Sequence, residues 1–110
     1  MPIFISGTGT DVGKTLFSAL LMARYGRELN LQYLKPVQTG PDSDRKNVQR
    51  LSGLENGHFL PEICSLPLPA SPHFAAEQAN TQIDTDLLLQ HLNGLNSFQT
   101  IVELAGGLLV

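Results

Sequence analysis

The chain has 110 residues, seven Lys and Arg against ten Asp and Glu, and a net charge of -3. With 42% hydrophobic and 15% charged residues it is neither a disordered polar tail nor a low-complexity segment, and it has no basic surplus to neutralise a nucleic-acid backbone. The single cysteine, Cys64, can form no internal disulfide, the near-apolar run from Leu16 to Ala23 is too short to span a membrane, and the N-terminus has no cationic signal segment. Together these predict one cytoplasmic domain at most, with neither a nucleic-acid nor a membrane partner.

Pro2 to Ser6 is a short apolar run rich in β-branched residues, which predicts a strand buried on both faces. Gly7 to Gly13 is a turn cluster. From Lys14 the period changes: Leu16, Ala19, Leu20 and Ala23 recur at helical spacing, and Phe17, Leu21 and Met22 broaden that stripe. Gly26 weakens the helix end, while Arg24 and Arg27 suit a last turn. Leu31 to Val37 predicts a second strand, with Pro36 marking its stop. Asp42-Ser43-Asp44 introduces a weaker helix to about Ser52, which Gly53 ends. Leu54 to Pro72 holds four prolines and no period, so it reads as an irregular loop. Helices are predicted over Pro72 to Ala79 and Asp84 to Asn93, and a third strand over Thr100 to Leu104. The alternation predicts an α/β fold, a parallel sheet flanked by helices. Three strands leave apolar faces and open edges, which predicts that residues 1–110 are the N-terminal part of one larger α/β domain.

The segment Gly7-Thr8-Gly9-Thr10-Asp11-Val12-Gly13-Lys14-Thr15 lies between a buried strand and a helix. Glycines let backbone N–H groups approach an anion, and a helix N-terminus adds a favourable dipole. Lys14 would reach the β- and γ-phosphates of a nucleoside triphosphate, and Thr15 would offer its hydroxyl to Mg²⁺. The spacing is a variant of the P-loop, because Thr8 stands where the strict pattern has its first Gly. A dinucleotide fingerprint fits less well, since Gly7, Gly9 and Gly13 are one residue too long at the end and Gly13-Lys14-Thr15 follows.

Ligands of an open parallel sheet sit beyond the carboxyl ends of its strands. Those ends are the phosphate loop, Lys35-Pro36-Val37-Gln38-Thr39-Gly40, and Glu103, so all three converge on one edge. Lys35 reads as a second cation that stabilises charge on a transferring phosphoryl group, or as a solvated strand-end lysine. Glu103 has the layout of a Walker-B acid or of a solvent-facing glutamate. Asp44 reads equally as a metal ligand or an N-cap. His73 is a ligand contact or a residue of a helix's first turn, and Cys64 reads as a small buried apolar residue rather than a nucleophile.

Taken together these motifs resemble the dethiobiotin synthetase family. Its Gly-Thr-x-Thr-x-Val-Gly-Lys-Thr loop matches Gly7 to Thr15, its Lys-Pro-Val/Ile-x-[Ser/Thr]-Gly matches Lys35 to Gly40, its Ser-Asp matches Ser43-Asp44, its Ser-Pro-His matches Ser71 to His73, and Val-Glu-Gly-Ala-Gly-Gly is similar to Val102 to Gly107. Leu104 stands where that family usually has Gly, and its side chain could crowd the phosphates or shift Glu103. The resemblance implies a P-loop NTPase-like fold and an ATP- and Mg²⁺-dependent homodimeric ligase. Its substrates would be 7,8-diaminononanoate, CO2 and ATP, joined through a carbamate and a carbamic-phosphoric anhydride. It further implies Lys35 as the catalytic cation and Thr39 as a substrate contact. Thr15, Asp44 and Glu103 would lie on the metal side, and Thr10, Asp11, Val12, Gly13, Lys14, Thr15 and Leu16 along the ATP phosphates. A ParA/MinD-type switch ATPase is a competing reading, but its extra signature Lys is missing from Thr8-Gly9-Thr10. A cobyrinate-type synthetase shares the variant loop, and a nucleotide-binding fragment without activity is the third alternative.

Overall fold

A computed structural model describes residues 2–6, 11–68, 72–97 and 99–105. The apolar run at the start forms β1 (Ile3–Ile5), and it pairs in parallel with β5 (Thr100–Glu103), which pairs in turn with β2 (Gln32–Leu34). The last strand in the sequence is therefore the middle of the sheet, and every one of its residues is buried. Ile5 lies beside Glu103 and Leu34 beside Val102, so the three strand ends are level.

Side chains alternate across the strands, and this assigns each face its cover. Ile5, Tyr33 and Ile101 pack with Ala19 and Met22 of α1 (Asp11–Tyr25) and Val48 of α2 (Asp44–Ser52). On the opposite face Leu34 and Val102 pack with Leu95 and with Leu92 of α4 (Thr85–Asn93). The result is the parallel sheet flanked by helices that the pattern predicts. Among the described residues no helix is long and apolar enough to cross a membrane.

Four expectations need correction. The first strand is not buried on both faces, since Ile3 and Phe4 of β1 are exposed and only Ile5 is buried. The run from Leu31 to Val37 is two strands, because Pro36 has no N–H to continue the ladder. After it the chain leaves the first sheet as β3 (Val37–Thr39). The segment from Leu54 to Pro72 is not wholly irregular: it contains β4 (Cys64–Leu66), which pairs in parallel with β3. This second sheet is covered by α3 (Pro72–Gln78), whose Ala75 and Ala76 pack on Leu66. Finally, α1 begins at Asp11 rather than Lys14, and its buried face is not the predicted stripe. Lys14, Thr15, Ser18, Ala19 and Met22 are buried, while Leu16, Phe17 and Leu20 are 51%, 53% and 60% exposed. The helix is apolar around most of its circumference, so its periodicity leaves the phase open.

The ends of α2 follow local chemistry. Ser43 is its N-cap, with Oγ accepting from the Lys46 N–H, and Gly53 ends it in the left-handed region at φ 74°. The cap is tied further to the following loop: Ser43 Oγ donates to Glu62 at 3.1 Å, and Arg45 pairs with Glu62 at 3.0 Å. Burial alone would raise the Glu62 carboxyl, but its own backbone N–H, Arg45 and Ser43 outweigh burial and hold it below its ordinary value. The depressed value means that this group stabilises the fold above the unfolded pKa and loses that effect as pH falls through the folded pKa. The stability difference between wild type and Glu62→Gln should thus be constant above about pH 6 and shrink in the acid range below the ordinary carboxyl value. Unfolding midpoints across pH check this, and a pH-independent difference would contradict it.

Gly26 closes α1 against Leu54. A Cβ there would collide with the Leu54 Cδ1 methyl and with the Met22 carbonyl oxygen. Since the carbonyl is backbone and cannot step aside cheaply, Gly26→Ala is expected to cost about 1–3 kcal/mol. Urea denaturation of the two proteins measures it.

Candidate functional site

Glu103 ends the central strand with no exposed surface. A buried carboxylate must be paired and hydrogen-bonded, and its two oxygens offer about four acceptor positions. Four donors meet them. Oε1 accepts from Ser18 Oγ at 3.0 Å and from Tyr33 Oη at 3.0 Å. Oε2 accepts from Thr15 Oγ1 at 3.1 Å and from Lys35 Nζ at 3.1 Å. Burial, then the negative charge of Glu103, push the Tyr33 phenol far above its ordinary range, so it remains a donor.

Lys35 follows β2 and is 1% exposed. Its ammonium also donates to Asp44 Oδ2 at 2.6 Å, which places one buried cation between two carboxylates. Asp44 is aimed by Gln38: the Gln38 Oε1 accepts the Asp44 N–H at 3.0 Å, and its Nε2 donates to the Thr39 carbonyl at 2.8 Å. Lys14 Nζ donates to the Leu104 carbonyl at 3.3 Å. The Leu104 side chain packs with Leu34, Leu95 and Val102 on the other face of the sheet, and Glu103 keeps all four donors, so Leu104 does not displace it. On the open side a cleft of about 450 Å³ is lined by Thr15, Leu16, Thr39, Asp44, Asn47 and Arg50.

The strand-end geometry thus brings together Lys14, Thr15, Lys35, Asp44 and Glu103, and sets Thr39 and Leu16 in the wall of the adjoining cleft. Asp11 and Val12 contribute backbone to the first turn of α1, and Gly13 is exposed there. Thr10, the rest of the loop back to Gly7, Ser71, and the Gly106-Gly107 pair lie outside the described residues. The solvated readings of Lys35 and Glu103 are overturned by their burial. The N-cap reading of Asp44 also fails, because Ser43 performs that task and the Asp44 carboxylate meets Lys35. Cys64 is partly buried in β4 with its thiol pushed up by burial, in keeping with an apolar role. His73 falls in the first turn of α3.

Sequence reasoning overlooked Ser18, Tyr33 and Gln38. A signal for two of them existed: Ser18 stands three residues after Thr15, on the same helix face, and Tyr33 stands two before Lys35, on the same strand face. Replacing Glu103 by Leu removes one of the two carboxylates on the buried Lys35 ammonium and the shared acceptor of three buried hydroxyls, and is expected to cost about 3–5 kcal/mol. Glu103→Gln, which keeps a carbonyl acceptor, should cost less. Denaturant titration of both variants decides, and equal losses would sink the argument that the acceptor for the hydroxyls matters as well as the charge.

Comparison with known proteins places this geometry. A family model described as AAA domain matches residues 2–110. A protein of Leptospira interrogans is 52% identical over 110 residues, covering 100% of this chain and 50% of the relative. One from Rhodopseudomonas palustris strain HaA2 is 46% identical over 112 residues, covering 99% and 49% respectively. One from Afipia carboxidovorans is 44% identical over 110 residues, covering 98% and 50%. All three are named ATP-dependent dethiobiotin synthetase BioD. The chain spans about half the length of the curated relatives it matches. It belongs to the AAA domain family and is similar, along its whole length, to ATP-dependent dethiobiotin synthetases.

Proposed function

We propose that this chain carries the phosphate end of the active site of an ATP-dependent dethiobiotin synthetase. The observation that carries the reading is the Lys35 ammonium held between Asp44 and Glu103, beside Thr15, at the carboxyl ends of parallel strands. The names of its relatives support the reaction.

In that reaction one amine of 7,8-diaminononanoate adds to CO2 and loses a proton, giving a carbamate. A carbamate oxygen attacks the γ-phosphorus of ATP, the bond to the ADP oxygen breaks, and a carbamic-phosphoric anhydride forms. The second amine attacks the carbonyl carbon and phosphate leaves, closing the cyclic urea. Little covalent chemistry falls to the protein, whose task is positioning and charge stabilisation. Lys14 meets the β- and γ-phosphates from the first turn of α1, alongside Asp11, Val12, Gly13 and Leu16, with Thr10 belonging to the same set. Lys35 stabilises charge on the carbamate and the transferring phosphoryl group. Thr39, in the cleft wall, contacts the amine substrate.

Mg²⁺ fits the donors present. Thr15 and Asp44 would supply a hydroxyl and a carboxylate, both hard oxygens, while Glu103, whose acceptor positions are taken, would act on the metal side by accepting the Thr15 proton, which leaves the Thr15 lone pairs for a cation. Bound there, the ion neutralises triphosphate charge. A cytoplasmic homodimer belongs to the same proposal.

The test is dethiobiotin formation from 7,8-diaminononanoate, bicarbonate and MgATP by the full-length protein. Absence of product overturns the reading. Within it, Lys35→Gln should lower kcat by roughly 10²–10³, about 2.7–4 kcal/mol, with a smaller change in ATP affinity. Normal turnover in that variant would refute the role of Lys35.

A further inference from the structure

Glu103 needs more than charge compensation, because the last torsion of a glutamate side chain is broad and about two-fold. Donors on one oxygen alone would leave the carboxylate able to swing. In this site the two oxygens are divided between two environments. Thr15 and Lys35 hold Oε2 on the side that adjoins the cleft. Ser18 and Tyr33 hold Oε1 from within the core, and neither has exposed surface.

Tyr33 is the informative member. Its ring packs against Phe59, with centroids 6.0 Å apart and planes tilted by 55°. It shares one core with Ile101, Met22 and Val48. Phenylalanine would pack there equally well, and a buried hydroxyl is unfavourable unless it is bonded. Among the described residues the Tyr33 hydroxyl bonds only Glu103. The same holds for Ser18, a fully buried hydroxyl in a helix face otherwise continued by Ala19 and Met22.

We propose that Tyr33 and Ser18 are positioning residues: they fasten Oε1 of Glu103 from the core, so that Oε2 is presented to Thr15 and Lys35 in the orientation that MgATP requires. This rests on the nucleotide reading above. It assigns to two core hydroxyls a part in ligand binding that neither performs by touching the ligand. The raised affinity of the Tyr33 phenol for its proton is consistent with a permanent donor.

The experiment compares full-length wild type with Tyr33→Phe, Ser18→Ala and, as a packing control, Phe59→Leu. ATP affinity is measured by calorimetry with and without Mg²⁺, alongside the melting temperature. Loss of one donor to a charged acceptor should weaken MgATP about tenfold in Tyr33→Phe and in Ser18→Ala. Metal-free ATP, held by Lys14 and loop backbone, should change less than about threefold. Phe59→Leu should lower the melting temperature and leave both affinities in place. Wild-type affinity for MgATP in the two hydroxyl variants overturns the clamp alone. An equal loss with and without Mg²⁺, or the same loss in Phe59→Leu, also overturns it, since packing would then explain the effect. Failure of wild type to bind MgATP at all overturns the clamp together with the nucleotide reading.

Discussion

The structure turns on the need of one buried carboxylate for partners. A glutamate at the end of the most buried strand is tolerable only if every acceptor position is met and its charge is balanced. The four donors come from α1, β2 and the turn after β2, so meeting that need fixes how those elements lie around β5. It also explains the phase of α1. The helix could bury its leucines and its phenylalanine, yet it turns Thr15 and Ser18 inward and leaves Leu16, Phe17 and Leu20 about half exposed. Burying one unpaired charge is far costlier than leaving a few apolar side chains in water.

On the proposed function, the same arrangement makes a reactive setting from a structural one. Lys35 is charged, buried and shared by Asp44 and Glu103, and Gln38 holds Asp44 from the side of the second sheet. Groups prearranged in this way do not have to reorganise when charge develops nearby, which is the property that electrostatic catalysis draws on. The short second sheet therefore has a part in the site although it carries none of the buried charges, because β3 brings Gln38 and Thr39 to the cleft.

Much of this was legible in the sequence where chemistry meets punctuation. The glycine-rich segment before Lys14, the Lys-Pro step and the β-branched run ending at Glu103 each mark a boundary with a charged residue on it, and Lys14, Lys35 and Glu103 come together at one sheet edge. Less legible were features set by partners distant in sequence. β4 is three residues between prolines, too short to show a period of two. The face of α1 depends on Glu103, 85 and 88 residues from the helix residues that bond it. Tyr33 reads as an ordinary apolar strand residue until its hydroxyl is seen to reach that carboxylate.

The placement of β5 between β1 and β2 has a consequence for synthesis on the ribosome. β1, α1, β2, Lys35 and Asp44 all emerge before the strand that separates and joins them. At about 5–20 residues per second, Glu103 is made several seconds after Asp44. During that interval the nascent chain carries a lysine and three hydroxyls destined for burial but lacking their common acceptor, and two strands that cannot yet lie in one sheet. Those groups stay hydrated, and the first sheet closes only when the fifth strand arrives.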